Sequence, residues 1–170
     1  MRLFHAIERL SALLNRLGAL IAILLIMYMF GHIVLEIVLR LMGRSTFILD
    51  EYIGYAVASM SFLGLPYVLE KGGLIRVSLL LGRVPAALRW PLELFSSLLT
   101  AVSFIWLSTF WFTNVQRSYQ RGVVSDTMAE TPLWLPEGAI LIGMWLIAFS
   151  LLVRSLKIGL LRSRYSSPSA

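Results

Sequence analysis

Four long stretches of apolar residues, separated by shorter polar segments, dominate the pattern of the chain. Residues 17–35, 52–69 and 94–116 contain no Asp, Glu, Lys or Arg at all. At about 1.5 Å rise per residue, a helix of about 20 apolar residues crosses the hydrocarbon core of a bilayer. The pattern therefore predicts an all-α integral membrane protein, with four transmembrane helices at about 17–39, 51–69, 92–114 and 137–157.

Two shorter segments are predicted to lie along the membrane surface as amphipathic helices, at about 2–15 and 74–84. In the first, leucine and isoleucine recur at steps of three and four, which gathers them on one helical face away from the charged residues. The second ends before Pro85, because a residue that precedes proline disfavours the helical conformation. Residues 162–170 are expected to form a disordered tail. We therefore predict one membrane domain over residues 1–170.

The composition indicates that most of the chain lies in lipid, and the sequence contains none of the common motifs for catalysis or cofactor binding. The sequence is 58% hydrophobic and 14% charged, whereas soluble domains have about 45–50% apolar and about 25% charged residues. Its basic residues flank the apolar runs, so membrane lipids are predicted as partners and nucleic acid is not. There is no cysteine, P-loop, dinucleotide-binding motif or HExxH motif. We therefore expect no enzymatic activity and no cofactor in this chain.

The distribution of basic residues predicts the orientation in the membrane. Eleven Lys and Arg residues lie in the N-terminal segment, the 70–89 segment and the C-terminal segment, against four in the two other segments between spans. Because basic segments stay on the cytoplasmic side, both termini and both amphipathic segments are predicted to be cytoplasmic. The acidic segments between the first and second spans and between the third and fourth spans then face outward.

Small residues recur along one face of the second predicted span. Gly54, Ala58 and Ser61 stand at positions i, i+4 and i+7, a spacing that lets another helix approach closely. Pro66 removes one backbone hydrogen bond and is expected to bend the end of this span, where Gly64 would leave room for another backbone. These five residues are the predicted packing surface for a partner subunit.

Glu36 lies near the end of the first predicted span, four residues before Arg40. That order and spacing favour an ion pair within the helix. Three hypotheses remain open for Glu36: structural pairing, contact with a partner subunit, or proton or ion coupling, since ionisable residues within spans are often functional. The charged residues predicted to anchor the chain or to meet a partner are Glu36, Arg40, Asp50, Glu51, Lys71, Arg76 and Arg83.

Three segments resemble the small membrane subunit of tripartite ATP-independent periplasmic (TRAP) transporters. Residues 37–45, IVLRLMGRS, are similar to the arginine and short loop that close the first span in that family. Residues 50–80, DEYIGYAVASMSFLGLPYVLEKGGLIRVSLL, resemble its acid-led second helix and the strip that follows. Residues 131–146, TPLWLPEGAILIGMWL, resemble its proline-tryptophan approach to the last helix. With the four-span plan, the resemblance covers nearly the whole chain.

The resemblance implies an accessory subunit of a sodium-coupled importer in a bacterial inner membrane. A large multi-span subunit with an elevator-type motion would bind the sodium ions and a carboxylate-type solute, and a periplasmic substrate-binding protein would deliver that solute. The small subunit would stabilise and anchor the large one. Asp126 and Glu130, which lie in an outward segment, are candidates for docking the binding protein, and a solvated loop without that role is the alternative.

A different class of protein is the second hypothesis. A small homodimeric, proton-coupled exporter of the multidrug type would use Glu36 as its coupling residue. That hypothesis requires Glu36 to face a water-filled cavity, with its carboxylate free to gain and lose a proton.

Overall fold

The computed structural model of the chain describes residues 2–72 and 86–160, and these residues form four long helices. They are α1 (Arg2–Leu41), α2 (Leu49–Glu70), α3 (Ala86–Arg121) and α4 (Trp134–Leu160). Each contains a stretch that is long and apolar enough to cross a membrane. Among the described residues there is no β-strand, and Val124 and Pro132 form an isolated β-bridge in the α3–α4 loop. The predicted all-α, four-span fold is confirmed.

Helix α4 is the centre of the bundle, because it packs against each of the other three helices. Helix α2 packs between α1 and α4, whereas α3 packs chiefly against α4. Successive helices run in opposite directions. We call the end that holds the start of α1 the terminal end, and the opposite end, with the loops 42–48 and 122–133, the loop end.

The inside of the bundle holds a hydrophobic cluster around Leu69, Ile147 and Leu151 together with many small and polar side chains, and large apolar side chains cover the outside. On α1 the buried positions recur with a period of about 3.5 residues, the spacing of a packed helix seam. These positions are Ser11, Asn15, Gly18, Ala22, Met29 and Glu36. The exposed side chains on the same helix include Leu13, Leu20, Leu24, Met27, Phe30, Val34 and Ile37. This distribution is typical of helices in lipid, where close packing of small residues holds helices together.

The amphipathic helix predicted at 2–15 is not a separate element, because α1 continues without a break from Arg2 to Leu41. Part of the predicted apolar face lies on the outside of the bundle. Ser11 and Asn15 point inward and continue the buried seam, while Leu10 and Leu17 are about half exposed. No glycine or proline separates residues 2–15 from the span, so nothing in the sequence ends the helix there.

The bounds of the other helices differ modestly from the predicted ones. Helix α3 is longer at both ends than the predicted 92–114 and runs over Pro91. It ends at Arg121, and the next residue, Gly122, has a φ of +58°, a left-handed conformation that stops a helix and suits glycine. The amphipathic segment predicted at 74–84 and the tail predicted at 162–170 lie outside the described residues.

Around Phe62 and Leu63, helix α2 packs closely against a glycine from each of its two neighbouring helices. Pro66 has no N–H to donate to the carbonyl of Phe62, four residues earlier in the helix. Gly143 of α4 packs against that same peptide unit, since a Cβ added to Gly143 would lie 2.6 Å from Phe62 C and 2.7 Å from Phe62 O. On the other side, a Cβ on Gly18 of α1 would lie 2.5 Å from Leu63 O. Backbone-to-backbone packing at this level therefore fixes the arrangement of α1, α2 and α4.

Candidate functional site

The small-residue face predicted on α2 divides into an open part and a buried part. Gly54 and Ser61 are exposed, Ala58 is half-buried, and a Cβ at Gly54 would meet nothing within 4 Å. The Ser61 hydroxyl donates a hydrogen bond of 2.7 Å to Val57 O of its own helix. Pro66, by contrast, is buried within the bundle. Gly54, Ala58 and Ser61 thus form an uncovered strip of small side chains on α2, which we call the α2 strip.

Gly64 also faces the chain's own bundle. A Cβ at Gly64 would lie 3.5 Å from the Cβ of Ala22 on α1, which is ordinary van der Waals contact. The tight approaches instead involve Gly18 and Gly143, which the sequence analysis did not single out. An isolated glycine in the middle of an otherwise apolar helix was the available signal for both of them.

The carboxylate of Glu36 binds the α1–α2 loop at the loop end. Arg40 Nε donates to Glu36 Oε1 over 3.0 Å, so the ion pair predicted from the spacing is formed. Thr46 donates twice to Oε2, from its backbone N–H over 3.0 Å and from its hydroxyl over 2.6 Å. Ser45 donates its hydroxyl to Oε1. We call this set of four residues the Glu36 latch.

The geometry of the Glu36 latch favours a structural role for this carboxylate. Both oxygens accept hydrogen bonds, and the Glu36 side chain is only 2% exposed. Burial of a carboxylate is costly unless donors surround it, and this one has four. Sequence reasoning found the Arg40 partner but missed the two hydroxyl residues. The signal was the pair Ser45-Thr46 just after Gly43, whose φ of +71° turns the chain back toward α1.

The α3–α4 loop is fastened to the start of α2. The Thr127 hydroxyl donates to the carboxylate of Glu51 and lies 3.0 Å from the Ser125 hydroxyl, while the Thr131 N–H donates to Ser125 Oγ over 3.1 Å. At the base of the loop, Leu133 N–H donates to Val123 O over 3.1 Å. Glu51, predicted as an anchor, therefore holds a loop of its own chain.

The two acids proposed for docking stand on this fastened loop. Asp126 and Glu130 are both exposed, and Glu130 has a positive φ of 44°. Met128, between them, is 81% exposed. The structure thus presents two carboxylates and one apolar side chain on a loop whose base is fixed to the bundle.

A buried polar network joins three helices near the terminal end. Asn15 of α1 donates through Nδ2 to Glu70 Oε2 of α2 over 2.9 Å, and Ser150 of α4 donates to Asn15 Oδ1 over 2.8 Å. Ser11 lies 3.4 Å from Ser150, oxygen to oxygen. An interhelical hydrogen bond within a bilayer contributes about 0.6–2 kcal/mol. Asn15 belongs to the segment 2–15, which the sequence pattern assigned to a surface helix, so this network was not predicted.

Ion pairs within the chain also connect the helices at the terminal end. Lys157 Nζ lies 2.9 Å from Glu8 Oε1, and Arg154 pairs with Glu93. Lys71 is exposed, with its ammonium 5.5 Å from the ring centre of Tyr67. Arg76 and Arg83, predicted as anchors, lie outside the described residues. In the part of the chain that the structure describes, no cluster of three His, Cys, Asp or Glu side chains could hold a metal ion.

These features define a class of protein: a polytopic helical membrane protein in which buried polar side chains such as Asn15, Glu36 and Ser150 bind other residues of the same chain. The family comparison makes this specific. Residues 29–158 match the model of the DctQ component of tripartite ATP-independent periplasmic transporters. The chain belongs to the DctQ family and is the small membrane component of a TRAP transporter. Comparison with curated proteins and with solved structures gives no match.

Proposed function

We propose that the chain stabilises and anchors the large multi-span subunit of a sodium-coupled, binding-protein-dependent importer of a carboxylate-type solute. Membership of the DctQ family supports a role in such a three-part system. The accessory role is supported most directly by the polar side chains inside the spans, which bind other residues of the same chain. Glu36, the one acid inside the first predicted span, is held by four donors from its own chain. We assign the binding of sodium and of the solute to the large subunit.

The α2 strip is proposed as the surface that packs against the large subunit. Helices in lipid associate where small residues allow close backbone approach. The chain's own helices leave Gly54 and Ser61 exposed, so the strip is available to another protein. We assign Gly54, Ala58 and Ser61 to this contact. Gly64 and Pro66 support it by fixing α2 within the bundle.

Substitution of Gly54 by Leu tests this packing surface. A Cβ added at Gly54 meets nothing within 4 Å, and leucine is a better helix former than glycine, so we expect the fold to stay intact. Close approach of the partner helix should be lost. We expect the Gly54→Leu variant to recover about tenfold less large subunit in co-purification, which corresponds to about 1.4 kcal/mol.

Gly31 of α1 provides the matched control, because a Cβ there also meets nothing within 4 Å. Gly31→Leu should leave co-purification at the native level, and Ala58→Leu should behave like Gly54→Leu. Native-level recovery of the large subunit by both Gly54→Leu and Ala58→Leu would reject the α2 strip as the packing surface.

We propose that the loop end faces the periplasm and that Asp126 and Glu130 help to dock the substrate-binding protein. The support is the excess of basic residues in the segments at the other end and the exposure of both acids on a fastened loop. Exposed charges act mainly by steering the encounter between two proteins. Docking of the binding protein would then depend on salt concentration.

Charge reversal of both acids tests the docking role. The Asp126→Lys, Glu130→Lys variant should slow solute uptake by the complete transporter about tenfold at low salt, because the encounter rate falls. The difference from the native transporter should shrink at about 0.5 M salt, where charges are screened over a few ångströms. Equal solute uptake by the variant and native transporters at low salt would mean that Asp126 and Glu130 have no docking role and that the loop is simply solvated.

A further inference from the structure

A cavity of about 330 Å³ opens at the loop end, beside the Glu36 latch. It lies between the last turn of α1, the α1–α2 loop and the first turn of α2, at the level where α1 leaves its apolar stretch. Six residues line it, namely Glu36, Arg40, Ser45, Phe47, Leu49 and Asp50. Nothing proposed above for partner packing or docking uses this cavity.

Three charged side chains line the cavity, Glu36, Arg40 and Asp50, and two of them, Arg40 and Asp50, are exposed. Arg40 is fixed through its Nε, which donates to Glu36, yet its side chain is 64% exposed. Asp50 is exposed on the other helix. Among the ion pairs formed by the described residues, none joins Arg40 to Asp50 within 4.0 Å. Because Glu36 is only 2% exposed and takes only the Nε of Arg40, the groups open to a bound molecule are the rest of the Arg40 guanidinium and the Asp50 carboxylate.

The lining of the cavity also has an apolar part, formed by Phe47 and Leu49. Phe47 lines the cavity and is 73% exposed. Leu41 and Met42, at the end of α1, are 84% and 70% exposed. A ligand that matches this cavity would carry a cationic group and an anionic group close together, joined to a long apolar part.

We propose that this cavity binds the headgroup of a zwitterionic phospholipid that has a primary ammonium group. The phosphate would meet the guanidinium of Arg40, and the ammonium would donate hydrogen bonds to the carboxylate of Asp50. The acyl chains would lie against the exposed apolar side chains of α1. The chemistry predicts selectivity, because a quaternary ammonium such as choline carries no N–H and cannot donate to Asp50.

Native mass spectrometry of the full chain in detergent tests the proposal. The purified protein is exchanged into equal amounts of phosphatidylethanolamine and phosphatidylcholine, and the retained lipid is counted. We expect about fivefold more phosphatidylethanolamine than phosphatidylcholine, the ratio for one exposed charged contact. Asp50→Asn should bring that ratio close to one, whereas Asp126→Asn, which changes an exposed acid on the other loop, should leave it unchanged.

A gain-of-function variant keeps the test independent of folding. Asp50→Lys replaces the acceptor of the ammonium by a second cation, so it should retain phosphatidylglycerol in preference to phosphatidylethanolamine. A misfolded protein would not acquire that preference. A native ratio near one, or a ratio that Asp50→Asn leaves unchanged, would overturn the proposal.

Two further arms identify the occupant of the cavity. Soluble phosphoethanolamine has the same charges without acyl chains, and we expect it to displace little lipid at equal concentration. Displacement as strong as that by the phospholipid would overturn the assignment to a lipid. The complete membrane complex should retain the same lipid preference as the isolated chain. If the complex lost this lipid preference, the large subunit and not a lipid would be the occupant of the cavity in the assembled transporter.

Discussion

Glu36 shows how one buried acid is stabilised in a chain of mostly apolar helices. Its two oxygens accept hydrogen bonds from Arg40, Ser45 and Thr46, so the end of α1 and the loop before α2 form one unit. A coupling residue must exchange protons or ions with a water-filled path. Glu36 lines the cavity at the loop end, but its side chain is only 2% exposed and both of its oxygens accept hydrogen bonds, which favours the structural hypothesis over coupling.

Substitution of Glu36 by Gln separates these two roles. The amide keeps the shape but loses the charge and one acceptor, so the Glu36 latch should weaken by about 1–3 kcal/mol. We expect amide hydrogen exchange at Thr46 and its loop neighbours to accelerate at least about tenfold, since 1.4 kcal/mol corresponds to a factor of ten. Glu130→Gln, at an exposed loop position, is the control and should change nothing in the 42–48 loop. Lost solute uptake with unchanged exchange of the loop would support coupling.

Sequence reasoning at the residue scale succeeded for contacts within one helix and failed for contacts between elements. The spacing of Glu36 and Arg40 is local, so their ion pair followed from the helical period. Ser45 and Thr46 return to Glu36 only because the chain reverses at Gly43. Asn15 faces Glu70 and Ser150 only because three helices converge there. No local pattern encodes that convergence.

Helix α2 lies between α1 and α4, and its position depends on glycines in both of those helices. Pro66 leaves the Phe62 carbonyl without its i+4 donor, and Gly143 lies against that peptide unit. Gly18 makes the equivalent approach at the next carbonyl. Because these contacts are between backbones, no side chain can move aside to make room for an added methyl group.

Substitution of Gly143 by Ala should therefore separate α2 from α4. Alanine gains about 1 kcal/mol of helix propensity over glycine, but its Cβ would lie 2.6 Å from Phe62 C. Overpacking of this kind costs about 1–3 kcal/mol, so we expect a net loss of stability in denaturant titrations of the purified chain. Gly138→Ala on the same helix meets nothing within 4 Å and should be neutral or stabilising. Equal stability of both variants would contradict the close approach at Gly143.

At the element scale, the number and the order of the helices could be predicted, because length and hydropathy alone decide whether a helix can span a bilayer. The segment 2–15 was misassigned because its leucines suggested an interfacial face. The register of α1 is instead set by the small and polar residues that its neighbours can approach closely. Hydropathy does not distinguish a leucine that faces lipid from one that faces protein.

On the scale of the whole molecule, the two ends of the bundle differ in what they hold. The terminal end joins its helices through the Asn15 network and through ion pairs such as Glu8 with Lys157. The loop end fastens both of its loops to carboxylates, at Glu36 and at Glu51. Both ends are therefore stabilised from within, which leaves the α2 strip for the proposed partner and the exposed apolar side chains of α1 and α3 for lipid.

Isolation of the tagged chain from its native membrane in a mild detergent, with the masses of the complex measured, tests the accessory role most directly. We expect the 19.2 kDa chain to be recovered together with a larger multi-span membrane subunit. Recovery of the chain solely as copies of itself, with no larger membrane protein attached, would contradict the account.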